Sequence, residues 1–306
     1  MSTVKHYLSL VKFSHTIFAL PFAIIGFFLG LQQYAADHLL TNQISETPFA
    51  LFSAMPAKEW LVKFLLVLVC MVNARSAAMA FNRYLDRHFD AQNPRTAIRE
   101  IPAGIIASES ALRFVIGNSL IFILATYFIN TICFFLSPVA LFVILFYSYT
   151  KRFTALCHVV LGVGLSLAPI GAYLAITGYF AWLPILFSLT VLCWVSGFDI
   201  IYALQDEQFD RSQQLHSIPV ALGKVKALKV SELLHVLSAV FVCTAGYLGS
   251  FGILYWCGVA VFIGMLIYQH RLVKPNDLSK VNIAFMTANG IASVVFAVFV
   301  LLDIFI

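Results

Sequence analysis

Apolar residues come along this chain in blocks of about 20, separated by short charged stretches, rather than alternating with polar ones. A helix needs about 20 apolar residues to cross a hydrocarbon layer. The blocks predict nine membrane-spanning helices, at 14–33, 59–79, 112–130, 132–149, 155–177, 180–202, 230–249, 252–270 and 282–305. The third and fourth follow each other so closely that a tight joint is predicted near Ser137-Pro138. No polar, Pro-rich or Ser-rich linker divides the blocks, so the expectation is an all-α integral membrane protein, nine helices in one bundle, with a single domain over 1–306. The first block is long and many like it follow, which argues against a cleaved leader.

Composition strengthens this reading. The 306 residues are 61% apolar and 11% charged, where a soluble domain carries about a quarter charged residues. The six cysteines (70, 133, 157, 193, 243, 257) stand singly with no CxxC pair, as small buried hydrophobes do rather than a disulfide framework or metal site. No basic–aromatic array points to nucleic acid. Of 19 Lys and Arg, only Lys58 and Lys63 fall on one predicted side; the other 17 fall at the N-terminus or in even-numbered loops. The positive-inside rule then puts the N-terminus in the cytoplasm and the C-terminus outside. The outer loop at 34–57 holds Asp37 and Glu46 but is assigned no chemistry.

Two polar stretches break the pattern at the cytoplasmic ends of spans. Residues 82–90 read NRYLDRHFD, placing Asn82, Asp86 and Asp90 at i, i+4, i+8 on one helical face. Residues 199–210 read DIIYALQDEQFD, placing Asp199, Tyr202, Asp206 and Asp210 at i, i+3, i+7, i+11, also one face. A carboxylate at membrane depth costs on the order of 3 kcal/mol, and like charges one turn apart repel. A multivalent cation resolves both costs, and oxygen-only ligands suit Mg²⁺. Arg83, Arg87, Arg95 and Arg99 beside the first stretch, with Lys151-Arg152 after the fourth span, complete the makings of a diphosphate site. IREIPAG (98–104) and HSIPVALG (216–223) follow the two stretches like an internal repeat, each with Ile-Pro and then Gly. A single Asp at a helix end is ordinarily just solvated, and the arginines taken alone would pass as anchors. Two one-faced sets on the same side of the membrane do not fit that account.

The joint pattern resembles the UbiA superfamily of intramembrane prenyltransferases. N-x-x-x-D-x-x-x-D at 82–90 and D-x-x-Y-x-x-x-D-x-x-x-D at 199–210 are similar to its two signature motifs. YTKRFT (149–154) is similar to its Tyr-x-Lys-Arg-x-Thr segment, and NPRTAIREIPAG (93–104) to its Arg-Thr…Arg-Pro-(Leu/Ile)-Pro-Ser-Gly stretch, with Glu100 in place of Pro and Ala103 in place of Ser. The resemblance covers nearly the whole chain, and its Asp-rich segments are 82–104 and 199–223.

That resemblance implies transfer of a polyprenyl group from an allylic polyprenyl diphosphate to an aromatic or other lipophilic acceptor at a lipid bilayer. It implies Mg²⁺ held by Asp86, Asp90, Asp206 and Asp210, with Asn82 completing or orienting the shell. Arg83, Lys151 and Arg152 are then expected on the diphosphate. Asp199 is expected to activate the acceptor hydroxyl as a general base. Tyr202, Tyr147 and Tyr149 are expected near the carbocation, with Arg95 or Arg99 on an acceptor carboxylate and Tyr149 also nearby. HTIFALPFA (15–23) and GFDIIYALQDEQFD…LHSIP (197–219) look like the bacterial 4-hydroxybenzoate branch, which serves ubiquinone biosynthesis in the inner membrane. The same chemistry on 1,4-dihydroxy-6-naphthoate, in the futalosine route to menaquinone, fits equally well.

A transporter or flippase of a lipid diphosphate is the reading from another class, since intramembrane charge also marks substrate paths. It requires ionisable residues from face to face. Here the acidic residues crowd the cytoplasmic mouth, with Glu59 and Asp303 near the far face. Gly26 and Gly30 form a GxxxG suited to helix packing, and Gly162 and Gly164 lack the strand a dinucleotide fingerprint needs. His15 reads as an interfacial or packing residue, and His216 belongs to a loop expected to cap the site.

Overall fold

The computed structural model describes residues 3–39 and 55–306; Glu46 and the side chain of His15 lie outside the described residues. A short helix α1 (Thr3–Leu10) and a 3-10 turn (Phe13–Phe18) lead into α2 (Leu20–Leu39), followed by α3 (Ala57–Leu85), α4 (Arg87–Gln92), α5 (Ser108–Ile129), α6 (Thr131–Thr150) and α7 (Cys157–Thr177). Then come α8 (Trp182–Ala203), α9 (Glu207–Ser212), α10 (Ile218–Leu248), α11 (Ile253–Leu272) and α12 (Asn289–Phe305), the last entered through a π turn, Ile283–Ala288. Among the described residues, nine helices are long and apolar enough to cross a membrane, and the only β pairing is an isolated Lys274–Asp277 bridge.

Several boundaries differ from the hydropathy reading, α2 running on to Leu39 and α3 to Leu85 among them, and three have a clear local reason. The first span was expected from residue 14, but its α-helix begins at Leu20 because Pro21 fits only the first turn of a helix. The seventh was expected from 230, yet α10 starts at Ile218, capped by the Ser217 hydroxyl, which accepts from Val220 N at 3.3 Å. After a kink at Gly223 (φ 75°, ψ 164°) the helix resumes through Lys224, Lys226 and Lys229, good helix formers that a hydropathy window penalises. The joint between the third and fourth spans is at Asn130, not Ser137-Pro138. Asn130 leaves the helical region (φ −170°, ψ 168°) and its side chain accepts from Cys133 N at 2.9 Å. Pro138 is carried inside α6, where the carbonyl it leaves without an amide donor, Phe134 O, takes the Ser137 hydroxyl at 2.8 Å.

Sequence neighbours pack as spatial neighbours from α3 through α5, α6, α7, α8, α10 and α11 to α12, and α2 closes against α7 and α12. The GxxxG of α2 is a packing device: a Cβ at Gly26 would overlap the Pro169 carbonyl. Gly162 plays the same part between α7 and α8, where a Cβ would collide with Ser196 Oγ and Leu192 O. The six cysteines are all free.

Candidate active site

Both Asp-rich stretches sit where a long helix breaks, and they break alike. Asp86 ends α3 and opens α4 with φ −89°, ψ 6°, and Asp206 joins α8 to α9 with φ −101°, ψ 1°. This bridge region is sparsely populated and frequent at functional sites. The stripes were expected on unbroken helices; instead each bends at its middle Asp. One turn later Asp90 and Asp210 are buried, at 6% and 1% exposure. The repeated Ile-Pro…Gly echo has a backbone basis too: Gly104 and Gly223 take positive φ of 72° and 75°, which favours glycine.

The two stretches face each other at one end of the bundle. Arg95, just past the first, donates from Nε to Asp206 Oδ1 at 3.0 Å and from a terminal nitrogen to Tyr202 Oη at 3.2 Å, while Asn93 Nδ2 reaches Asp206 Oδ1 at 3.3 Å. Each of the four expected metal carboxylates has one close cation. Asp86 pairs with Arg152 at 3.0 Å, Asp90 with Arg99 at 2.6 Å, Asp206 with Arg95, and Asp210 with Lys151 at 2.7 Å. Arg83 stands further off, 4.0 Å from Asp90 Oδ2. Asn82 Nδ2 donates to Asp86 Oδ2 at 3.2 Å. Lys151 is steadied by its own carbonyl, which accepts the His216 amide at 2.7 Å, so the loop after Asp210 does border the site, through its backbone.

Burial pushes the Asp86 carboxyl up to about 6, with Arg152 and then Lys151 limiting the rise. Burial works against the Lys151 ammonium, but Asp210 beside it outweighs that and holds the lysine above its ordinary range.

The donor set fits Mg²⁺. Asp90 Oδ2 and Asp210 Oδ2 are buried without a hydrogen-bond donor, and Asp210 Oδ1 has the Lys151 ammonium at 2.7 Å. Among the described residues no three His, Cys, Asp or Glu side chains converge tightly enough to hold an ion unaided. Such carboxylates suit ions whose remaining ligands are diphosphate oxygens.

Behind this mouth lies an apolar chamber of about 350 Å³ between α3, α5, α6 and α7. Its wall includes Ala78 and Met79, one turn from Asn82, and Tyr147, one turn from Lys151, and it extends to Cys133 and Phe180. Cys133 to Tyr147 is 14 residues of α6, about 21 Å at the α-helical rise. Leu136 and Val139 face both the chamber and the outside of the bundle, so the chamber opens sideways.

Some expected residues take other places. Arg95 and Arg99, expected at an acceptor, do not line the chamber and instead hold Asp206 and Asp90. Tyr149 is exposed, its ring 5.4 Å from the Arg152 guanidinium, and the Tyr202 ring packs tilted against Phe285, centroids 4.3 Å apart; Tyr147 alone of the three tyrosines lines the chamber. Two residues were missed. Arg75, counted only as an orientation charge, lines the chamber with its Nε buried and unpartnered. His158, 3% exposed, lies with Nδ1 2.7 Å from Asp199 Oδ2. A carboxylate only accepts, so His158 donates from Nδ1, and its Nε2 is left buried without a partner.

Residues 47–291 match the UbiA prenyltransferase family. The chain belongs to that family. Its members include the 4-hydroxybenzoate octaprenyltransferase of Nitrosospira multiformis, 32% identical over 248 residues, covering 81% of this chain and 84% of that one. The enzyme of the same name from Nitrosomonas europaea is 32% identical over 243 residues, covering 79% and 82%. The apo structure of a UbiA homolog from Aeropyrum pernix superposes with a TM-score of 0.74 at 26% identity, covering 95% of this chain and 96% of that one. A UbiA homolog from Archaeoglobus fulgidus bound to DMAPP and Mg²⁺ shares the fold, with a TM-score of 0.73 at 20% identity over 97% and 98%. This UbiA-family protein is therefore a membrane-embedded prenyltransferase.

Proposed function

We propose that this prenyltransferase moves a polyprenyl group from an allylic polyprenyl diphosphate onto a hydroxylated aromatic carboxylate, 4-hydroxybenzoate, in bacterial quinone biosynthesis. The observation that carries this reading is the meeting of two distant Asp-rich segments, with their cations, at the mouth of an apolar chamber. The names of the two relatives support the acceptor. Residues 1–306 act as one domain in a bacterial inner membrane, with the N-terminus and the Asp-rich mouth in the cytoplasm and the C-terminus outside.

Asp86, Asp90, Asp206 and Asp210, with Asn82, would hold Mg²⁺, which when bound neutralises the diphosphate and makes it a better leaving group. Lys151, Arg152 and Arg83 take up charge on the departing oxygens. The allylic C–O bond breaks and the prenyl carbon becomes electron-poor beside the Tyr147 ring. The apolar walls keep water from it, while the tail enters through the lateral opening. Arg75, on the chamber wall, faces the acceptor's carboxylate and turns its ring inward. The hydroxyl proton passes to the Asp199–His158 pair, so a ring carbon next to the oxygen attacks; the C–C bond forms, the ring proton passes to the departing diphosphate, and the pair returns its proton to the hydroxyl oxygen.

A transporter needs charge along its whole path. The far-side Asp303 instead caps α11, accepting from Gly252 N at 2.7 Å and Tyr255 N at 3.1 Å. The test is purified protein with Mg²⁺, a polyprenyl diphosphate, and 4-hydroxybenzoate competing with 1,4-dihydroxy-6-naphthoate, read by product mass. Prenylated hydroxybenzoate is expected. Prenylated naphthoate alone moves the protein to the other route, and no diphosphate release with either acceptor removes the reading.

A further inference from the structure

The pairing of four carboxylates with four cations has a consequence for the order in which ligands bind. Lys151 and Arg152 stand at the end of α6. Arg95 and Arg99 come from the turn-built segment between α4 and α5. Arg95 grips Asp206 through two nitrogens, braced by Tyr202 and by Asn93, whose Oδ1 accepts the Arg95 amide at 3.0 Å. Arg99 holds Asp90 from nine residues away, on a turn fixed by Thr96 Oγ1 donating to Asp90 O at 3.1 Å. Each arginine thus sits on a carboxylate that a metal needs.

The four carboxylates are matched by their four paired cations, and Arg83, 4.0 Å from Asp90, tips the mouth to a slight positive excess. Divalent ions arriving alone would meet guanidinium groups a few ångströms away and make the mouth strongly positive, which the low-dielectric surroundings penalise. The same ions arriving with a diphosphate bring compensating charge and present planar, bidentate acceptors to the displaced arginines.

We propose that Arg95 and Arg99 are tethered counter-ions that occupy Asp206 and Asp90 until metal and diphosphate arrive together, and then transfer to the diphosphate. This rests on the reading of the mouth as a metal–diphosphate site. The two arginines therefore oppose metal binding by itself and favour diphosphate binding, which makes the two ligands strongly cooperative. A pair that served the fold alone would affect both ligands in the same direction.

The test uses Mn²⁺ as the probe ion, followed by electron paramagnetic resonance on the purified full-length protein, first alone and then with inorganic diphosphate. In the wild type, diphosphate should raise Mn²⁺ affinity by on the order of 100-fold. Arg95→Gln should bind Mn²⁺ alone on the order of tenfold more tightly, and diphosphate in the presence of Mn²⁺ on the order of tenfold more weakly. Arg99→Gln should show the same divergence, and Arg95→Lys, which keeps charge without the fork, should fall between. The wild-type coupling is measurable even if a variant fails to fold, and its absence overturns the inference. So does a variant that loses both affinities together, or that binds Mn²⁺ alone as the wild type does. A wild type that binds no diphosphate at all overturns the reading of the mouth, and this inference with it.

Discussion

Around Trp194 the bundle is solid. The ring of Phe22 lies 5.4 Å from that of Trp194, Phe262 lies 5.7 Å from it, and Phe262 and Phe296 are 5.4 Å apart. Trp194 Nε1 donates to Asn289 Oδ1 at 2.8 Å, and Gln269 Nε2 meets the same oxygen at 2.7 Å. Across the molecule, α3, α5, α6 and α7 are just as apolar but enclose the chamber, because small residues such as Ala74, Ala78, Ala140, Gly164 and Ala168 face inward. Side-chain volume separates these halves, not hydrophobicity. Within a bilayer, lipid is as apolar as a leucine, so helices are held together by close packing and interhelical hydrogen bonds. The aromatic half supplies both, and the other half can stay hollow for a substrate.

Asp86→Asn should separate the two halves most widely. Removing a charge proposed to bind metal is expected to lower prenyl transfer on the order of 10²–10³-fold, the range seen when one electrostatic stabiliser is lost. Burial already disfavours the Asp86 charge, so thermal stability should stay level or rise. A fall in both activity and stability would mean that the mouth holds the fold together. Phe296→Ala is the converse experiment. The transfer term vanishes in lipid and only the cavity term remains, about 2 kcal/mol for roughly 100 Å³. Unfolding in detergent should report that loss with product chain length unchanged; a changed product would tie the solid half to the chamber.

The same contrast marks what the sequence could reveal. The spans and the charged end were legible because block length and charge asymmetry are averages over many residues, and displaced starts at Leu20 and Ile218 leave them intact. The convergence of the two Asp stripes was legible from spacing, but the bends at Asp86 and Asp206 were not, since a broken helix and a whole one share the same period. Residues whose meaning depends on a distant partner were hidden. His158 sits inside the apolar run ALCHVVLG, and only Asp199, 41 positions away, gives it a role. Arg75 passed as a topogenic charge because nothing in NARSAAMA says that its face looks onto a chamber. The chamber is invisible for the same reason: alanine and glycine read as packing residues whether or not anything packs on them.

Filling the hollow half tests that last point. Gly164 faces the chamber, and a Cβ there would make ordinary contact with Ile144 at 3.6 Å, so a side chain can be added without breaking helix packing. Gly164→Leu should reduce kcat/KM for long prenyl diphosphates about tenfold, the scale set by a methylene or two in an apolar pocket. Dimethylallyl diphosphate should be spared. Equal losses for every chain length would place the tail elsewhere.

The smallest effect expected is the dependence of ion binding on pH at Asp86. Its carboxyl titrates at about 6 in the folded protein, against 3.8 ordinarily, because burial disfavours the charged form. The folded state therefore binds this proton more tightly than an unfolded chain does. Protonation of Asp86 stabilises the fold as pH falls from about 6 towards 4, and raising pH through that window removes the benefit. A divalent ion needs the ionised form, so affinity should run the opposite way. Mn²⁺ binding should be level above pH 7 and weaken about tenfold by pH 5, where an Asp with an ordinary value would stay ionised. In Asp86→Asn the remaining dependence should move below about pH 5, where unperturbed carboxylates titrate. A wild-type profile flat down to pH 5 would mean that water or a cation solvates Asp86 as fully as bulk solvent does, and that the low-dielectric chamber stops short of the mouth.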